Sequence, residues 1–330
     1  MRLIILFILL IVFFVLDILL GSVLLPLGDV MQTLLGGAPD EVTREIVLNY
    51  RLPKAVTAIL TGSALSVGGV LMQVLFRNPL AGPDVLGINS GAGLGVALFT
   101  MFGFSSIPLI GEFGLVGVAI AGALSVLLCV IAVSHRIKEN TSLLIIGIMI
   151  GNLAGAAVSI LQSISNPDAI KLFIIWTFGS LSSVSPNQMF FMIPLIVSGL
   201  IIAFLLQKDL NTLLLGDNYA RSLGVNVSRI RLWIILSTAL LAGTATAFTG
   251  PIAFIGVAVP HIVRGILRTT NHLKIIPGAI LTGSALMLLC DIISQMPGLK
   301  MTLPINAVTA MFGAPIIIWV LIKNRNVYVK

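Results

Sequence analysis

Charge is what this chain has least of. Only 9% of its 330 residues are charged, against 58% hydrophobic, and the mean hydropathy is +1.12. An ordinary soluble domain carries about a quarter charged residues, so that class is excluded. Cysteine is reduced to Cys129 and Cys290, which lie in separate apolar segments and encode neither a disulfide framework nor a redox pair. His135, His261 and His272 are isolated, and none has metal-ligand spacing. No G-x-x-x-x-G-K-[ST] string occurs, nor any Gly-Lys dipeptide, so a loop that cradles nucleotide phosphates is absent. Paired carboxylates and a nucleophile elbow are missing as well. The expectation is therefore a chain with no catalytic residue, no metal site and no bound cofactor. If ATP drives its work, the nucleotide and Mg sit on a partner.

What is present is apolar length. Runs of about 17 to 25 residues recur along the chain, each long enough to cross a bilayer as a helix. The period-two alternation of a membrane barrel is not seen. The reading is an all-α polytopic membrane protein, one domain over 1–330, with about ten spans: 3–25, 53–76, 88–104, 114–133, 142–161, 189–206, 232–248, 254–267, 275–294 and 305–322. The eighth is short. The first could be a signal peptide, but its apolar stretch is long, carries Asp17 and lacks a small-residue cleavage site, so it is read as a retained helix.

Basic residues set the orientation. With an inside amino terminus, the cytosolic side holds Arg2, Arg77, Arg136, Lys138, Lys208, Arg221, Arg229, Arg231, Arg264, Arg268, Lys274, Lys323, Arg325 and Lys330. The outer side holds only Arg44, Arg51, Lys54, Lys171 and Lys300. Both termini are expected in the cytosol. The net charge of +7 is explained by this bias and requires no nucleic acid.

Three features interrupt the apolar pattern. Asp217 to Arg231 reads DNYARSLGVNVSRIR, a charged island on the cytosolic side. Asp217 would start a short helix and pair with Arg221 four residues on; Gly224 would stop the helix, and Asn226 would cap the next. Such a compact helix–Gly–helix is either a handle for a soluble partner or a plain connecting loop. RNPLAGPDVLG (77–87) and TGPIAFIGVAVPHIVR (249–264) break two spans with Gly and Pro, as internal repeats in transporters do. Irregular backbone at membrane depth survives only when packed in protein or lining a wet cavity. Gly87, Gly91 and Gly95 form a small-residue row suited to close helix packing. Asp17 and Asp291 fall inside predicted spans, and such carboxylates call for a partner or a cavity.

The strings RLPKAVTAILTGSALSVGGVLMQVLFRNPLAGPDVLG (51–87), GDNYARSLGV (216–225), GPIAFIGVAVPHIVR (250–264) and LPINAVTAMFGAPIIIWVL (303–321), with the Asp291 segment, resemble the FecCD family. These are permease subunits of type II ABC importers for iron–siderophore, haem and cobalamin. The resemblance implies a ten-helix subunit in the bacterial cytoplasmic (inner) membrane. It also implies a dimer with a second copy, two cytosolic ATPase subunits and an extracytoplasmic substrate-binding protein. The resemblance assigns ATPase coupling, within about 213–231, to Gly216, Ala220, Leu223 and Gly224. It assigns the cytosolic gate to Asn78 and Leu80 and, by a looser match, to Thr141 and Ser142. Arg51 and Lys54 match basic positions that meet the binding protein, with Lys standing where the family has Arg at the second; read from topology alone, they are lipid-interface anchors.

The expected function is import of a ferric siderophore or similar metal chelate, with haem, cobalamin and oxyanions open in that order. An ion-coupled secondary transporter and a non-transporting scaffold are the rivals. The first would need ionisable groups along its path, and the second would not need broken helices in both halves.

Overall fold

The computed structural model describes residues 1–21, 25–37, 40–102, 113–134, 139–296 and 302–324. No strand occurs among them. Apolar helices fall at all ten expected positions: α1 (Arg2–Leu19), α2 (Leu52–Phe76), α3 (Ile88–Met101), α4 (Gly114–Ser134), α5 (Asn140–Ile164), α6 (Pro186–Leu205), α7 (Val227–Thr249), α8 (Ile255–Leu267), α9 (His272–Ser294) and α10 (Ile305–Asn324). Seven are long and apolar enough to cross a membrane, and α3, α8 and the apolar part of α10 are shorter. The first helix ends at Leu19, not Leu25. Of the orienting residues, Arg136, Lys138, Lys300, Arg325 and Lys330 lie outside the described residues, as does His135.

Helix α2 is the axis of the bundle. It extends a helical run that begins at Glu41 and passes through a wide π turn at Ile46–Arg51, and 89% of an 18-residue apolar stretch of this run is buried by protein. In lipid no hydrophobic force drives helices together, so contact depends on close van der Waals approach between small residues. The sequence of α2 supplies them. A Cβ at Gly62 would collide with the carbonyl of Gly283 in α9, and one at Gly69 with the carbonyl of Gly256 in α8. Hydroxyls add cross-links: Ser66 Oγ donates to the Ala279 carbonyl at 2.8 Å, and Ser284 Oγ to that of Ile59 at 2.9 Å. The glycine row packs as expected, Gly91 and Gly95 against Gly122 and Val118 of α4, and Gly87 (φ 73°) against Gly147 of α5.

The Gly/Pro interruptions are packed in protein. Thr249 O accepts from Ser180 N at 2.8 Å, and Ala253 N donates to Asn306 Oδ1 at 3.1 Å, so the broken backbone after α7 finds partners without lipid or water. Gly250 (φ 75°) makes this turn possible, its α-carbon facing the Trp176 carbonyl. Between α5 and α6 a short helix, Pro167–Thr177, is capped by Asn166, and a capping box from Ser185 to Gln188 opens α6. Helices α4, α5 and α6 sit at the periphery, with α5 only 17% buried.

The glycine contacts generate a paired prediction. Gly69→Ala should lower stability by about 3 kcal/mol or more, because the added methyl must displace backbone. Gly117→Ala, whose Cβ would meet nothing within 4 Å, should be neutral. Thermal unfolding of the detergent-solubilised protein distinguishes the two.

Candidate functional site

The charged island folds as the sequence predicts and is held in an unexpected way. Gly216 (φ 113°) precedes a six-residue helix, Asp217–Ser222; Leu223 leaves it, Gly224 turns in the left-handed region (φ 81°), and Asn226 caps α7 by accepting from Arg229 N at 3.1 Å. Ala220 and Leu223, three residues apart, do not share a face. Ala220 is fully buried, while Leu223 is 58% exposed, because Leu223 lies just past the helix end where the backbone has already turned. Leu214, Leu215 and Tyr219 are exposed as well, so the segment shows an apolar collar over a buried alanine anchor.

The Asp217–Arg221 pair is also corrected. Asp217 Oδ1 receives the Arg77 guanidinium at 2.5 Å, and its Oδ2 that of Arg231 at 2.7 Å. Both partners reach it from spanning helices, Arg77 from the end of α2 and Arg231 from α7. A carboxylate at the start of a six-residue helix meets cations on neighbouring elements more easily than one on its own short axis.

Arg77 closes α2 in the left-handed conformation (φ 47°), and the gate candidates follow directly. Asn78 Oδ1 accepts from Leu80 N at 2.9 Å and Asn78 O from Ala81 N at 3.1 Å, a compact turn that leaves Leu80 39% exposed. From α8, His261 Nε2 donates to the Pro79 carbonyl at 2.8 Å, and Arg264 donates to Gln73 at 2.5 Å. Thr141 is exposed and Ser142 half-buried at the start of α5, where Ser142 Oγ donates to Glu139 at 3.0 Å. Five residues on, Gly147 packs on Val85 and Leu86, so α5 rests on the same interrupted segment.

At the other end of α2 the structure corrects the reading of Arg51 and Lys54. Neither is a surface residue: they are 7% and 5% exposed. Lys54 Nζ lies 2.6 Å from Asp291 of α9 and 3.7 Å from Asp17 of α1, and it donates to Gln295 at 2.9 Å. Arg51 donates to the Ile18 and Leu19 carbonyls at 2.7 and 2.9 Å, closing the end of α1. Two carboxylates draw Lys54 inward and the carbonyls at the end of α1 draw in Arg51, so neither side chain lies out toward lipid headgroups. The signal was in the sequence: two acids and a lysine in apolar spans, each costly alone.

Beside this cluster a cleft of about 270 Å³ is lined by Asn49, Tyr50, Arg51, Lys54, Ser182 and Gln295. A second, of about 350 Å³, is lined by Ser180, Ser182, Asp291, Ser294, Gln295 and Thr302 together with apolar residues such as Phe178, Leu181 and Ile305. No group of three or more His, Cys, Asp or Glu side chains able to hold a metal ion occurs among the described residues.

Comparison with known proteins gives a consistent result. The model of the FecCD transport family matches residues 9–323. The hemin transport system permease protein HmuU of Yersinia pestis is 36% identical over 295 residues, covering 89% of this chain and 88% of that protein. The vitamin B12 import system permease protein BtuC of Citrobacter koseri is 34% identical over 279 residues, covering 84% and 83%. A solved inward-facing structure assigned to a metal-chelate type ABC transporter superposes with a TM-score of 0.86 at 28% identity, covering 97% of this chain and 98% of that one.

The buried cluster predicts an asymmetry between breaking and replacing it. Lys54→Met strands two carboxylates and should cost about 3–5 kcal/mol. Adding Asp17→Asn and Asp291→Asn to Lys54→Met should recover most of that loss. Circular dichroism melts of the three proteins in detergent test it: equal melting of Lys54→Met and the wild type would refute a stabilising role for the cluster.

Proposed function

The chain belongs to the FecCD transport family, and on that premise we propose that it carries a ferric siderophore or a similar metal chelate across the bacterial inner membrane. It is the permease subunit of an ABC importer. Support for the chelate class comes from relatives named for hemin, vitamin B12 and metal chelates, all coordinated metals in an organic ligand. Haem and cobalamin are the alternative cargoes for the same reason.

The observation that carries the mechanism is the exposed collar of Leu214, Leu215, Tyr219 and Leu223 around a helix whose own anchor, Ala220, is buried. An apolar surface on an otherwise charged segment is a protein-docking surface. In this reading it enters a cleft of a cytosolic ATPase, which binds and hydrolyses ATP with Mg, while Gly216 and Gly224 supply the left-handed turns that present it. One such segment per chain and two ATPases per importer call for two permease copies related by a twofold axis. The weakly buried α5, together with α10, lines the pathway on that axis, and residues 78–80 with Thr141 and Ser142 close its cytosolic end. Both termini face the cytosol.

A secondary transporter is disfavoured because Asp17 and Asp291, the acids in its spans that could follow a coupling ion, are engaged by Lys54 inside the bundle. Arg51 and Lys54 line the cleft beside the cluster and stay docking positions for the external binding protein in this reading. Arg44 and Lys171 are exposed basic residues of the expected outer side, and this reading adds them to the docking surface.

Two experiments follow. Leu223→Asp should abolish ATPase association and uptake of radiolabelled iron chelates in a deletion strain, while membrane insertion survives; normal uptake would reduce the segment to a connector. Charge reversal at both Arg44 and Lys171 should slow capture of the binding protein about tenfold at low salt and flatten the salt dependence. Unchanged association kinetics would remove these two residues from the docking surface.

A further inference from the structure

We propose that the Asp217–Arg77 ion pair is the link through which movement of the coupling helix reaches the cytosolic gate, with Asp217 as the positioning residue. The proposal rests on reading Asp217–Ser222 as the ATPase-docking helix and residues 78–80 as the gate. The two residues are 140 positions apart in sequence, yet their side chains meet at 2.5 Å. Asp217 is the first residue of the coupling helix, and Arg77 is the residue immediately before Asn78. No other described ion pair joins these two segments.

The backbone at Arg77 supports a role for its side chain. A left-handed C-cap is a position that glycine fills without strain, and arginine there carries a steric penalty. A cation beside the last carbonyls of α2 is favourable in itself. Arg268 shows that this local effect is sufficient for a cap, since it closes α8 in the same conformation (φ 51°). What distinguishes Arg77 is where its guanidinium goes: onto a carboxylate of the docking helix.

The turn that follows is a small rigid body held at two points. Its internal hydrogen bonds, from Leu80 N and Ala81 N to Asn78, bind it together. Arg77 fastens its start to the coupling helix, and His261 fastens the Pro79 carbonyl to α8. Displacement of the coupling helix relative to α8 therefore strains this turn before any other part of the gate. Asp217 also grips Arg231 at the start of α7, so the docking helix moves with α7 as one piece. The pair is partly exposed, at 46% for Arg77 and 22% for Asp217, so it contributes little to folding. Coupling and stability can thus be separated by experiment.

The test uses the assembled permease–ATPase complex in nanodiscs, in a Cys129→Ser, Cys290→Ser background carrying Leu80→Cys as a probe. The readout is the labelling rate by a membrane-impermeant maleimide before and after trapping with ATP and vanadate. The parent should change its rate about fivefold or more. Arg77→Gly, which keeps the left-handed turn and lies outside the docking helix, should still bind the ATPase and hydrolyse ATP within about twofold, yet lose most of the labelling change. Asp217→Asn should lose the same labelling change, and the two together should be no worse than either alone. Arg77→Lys, which keeps the charge, should retain part of the response. A full labelling change in Arg77→Gly overturns the proposal. So does loss of ATPase binding in that variant, which would make Arg77 part of the docking surface itself. If the parent shows no ATP response, or no ATPase co-purifies with it, the failure belongs to the proposed function.

Discussion

The structure depends on how bare helix α2 is. A bilayer offers no gain for hiding apolar side chains, so a helix can occupy the centre of a bundle only if its neighbours approach to backbone distance. Gly62 and Gly69 meet that requirement on two sides, against Gly283 of α9 and Gly256 of α8, and serine hydroxyls spend their donors on the carbonyls of the facing helix. Substituting large apolar residues would preserve the hydropathy and destroy the contact. The other helices take their places around this axis.

Both ends of α2 are then fixed by charge, in different ways. At the expected outer end Lys54 lies buried between Asp17 and Asp291 and ties α1, α2 and α9 together. Such a cluster is weak evidence for stability relative to an apolar replacement, but each member is indispensable once the others are present. At the other end Arg77 meets Asp217 where water can reach, so the contact is weaker. One end of the rod is a fixed point and the other a joint.

The broken segments fit the same scheme. The interruption after α2 is short, hydrogen-bonded and cradled by α5 and α8 through Gly147 and His261. The interruption after α7 is bound to Ser180 and to Asn306 at the head of α10. Both have backbone polar groups bonded within the protein. Both lie between packed helices, where a small rotation changes several contacts at once.

The sequence by itself determined the class, the ten spans, the glycine row, the helix–Gly–helix of the island and the family. Each of these follows from a local rule: apolar length, residue size, cap chemistry or a contiguous motif. It did not determine which side chains meet across the bundle. Arg51 and Lys54 read as outer-surface cations because topology places them by depth alone, and depth does not say which way a side chain points. Asp217 read as the partner of Arg221 because spacing knows only one helix at a time. Only the tertiary structure set Lys54 among carboxylates from two other helices and Arg77 against Asp217, since partners so distant along the chain are selected by packing geometry.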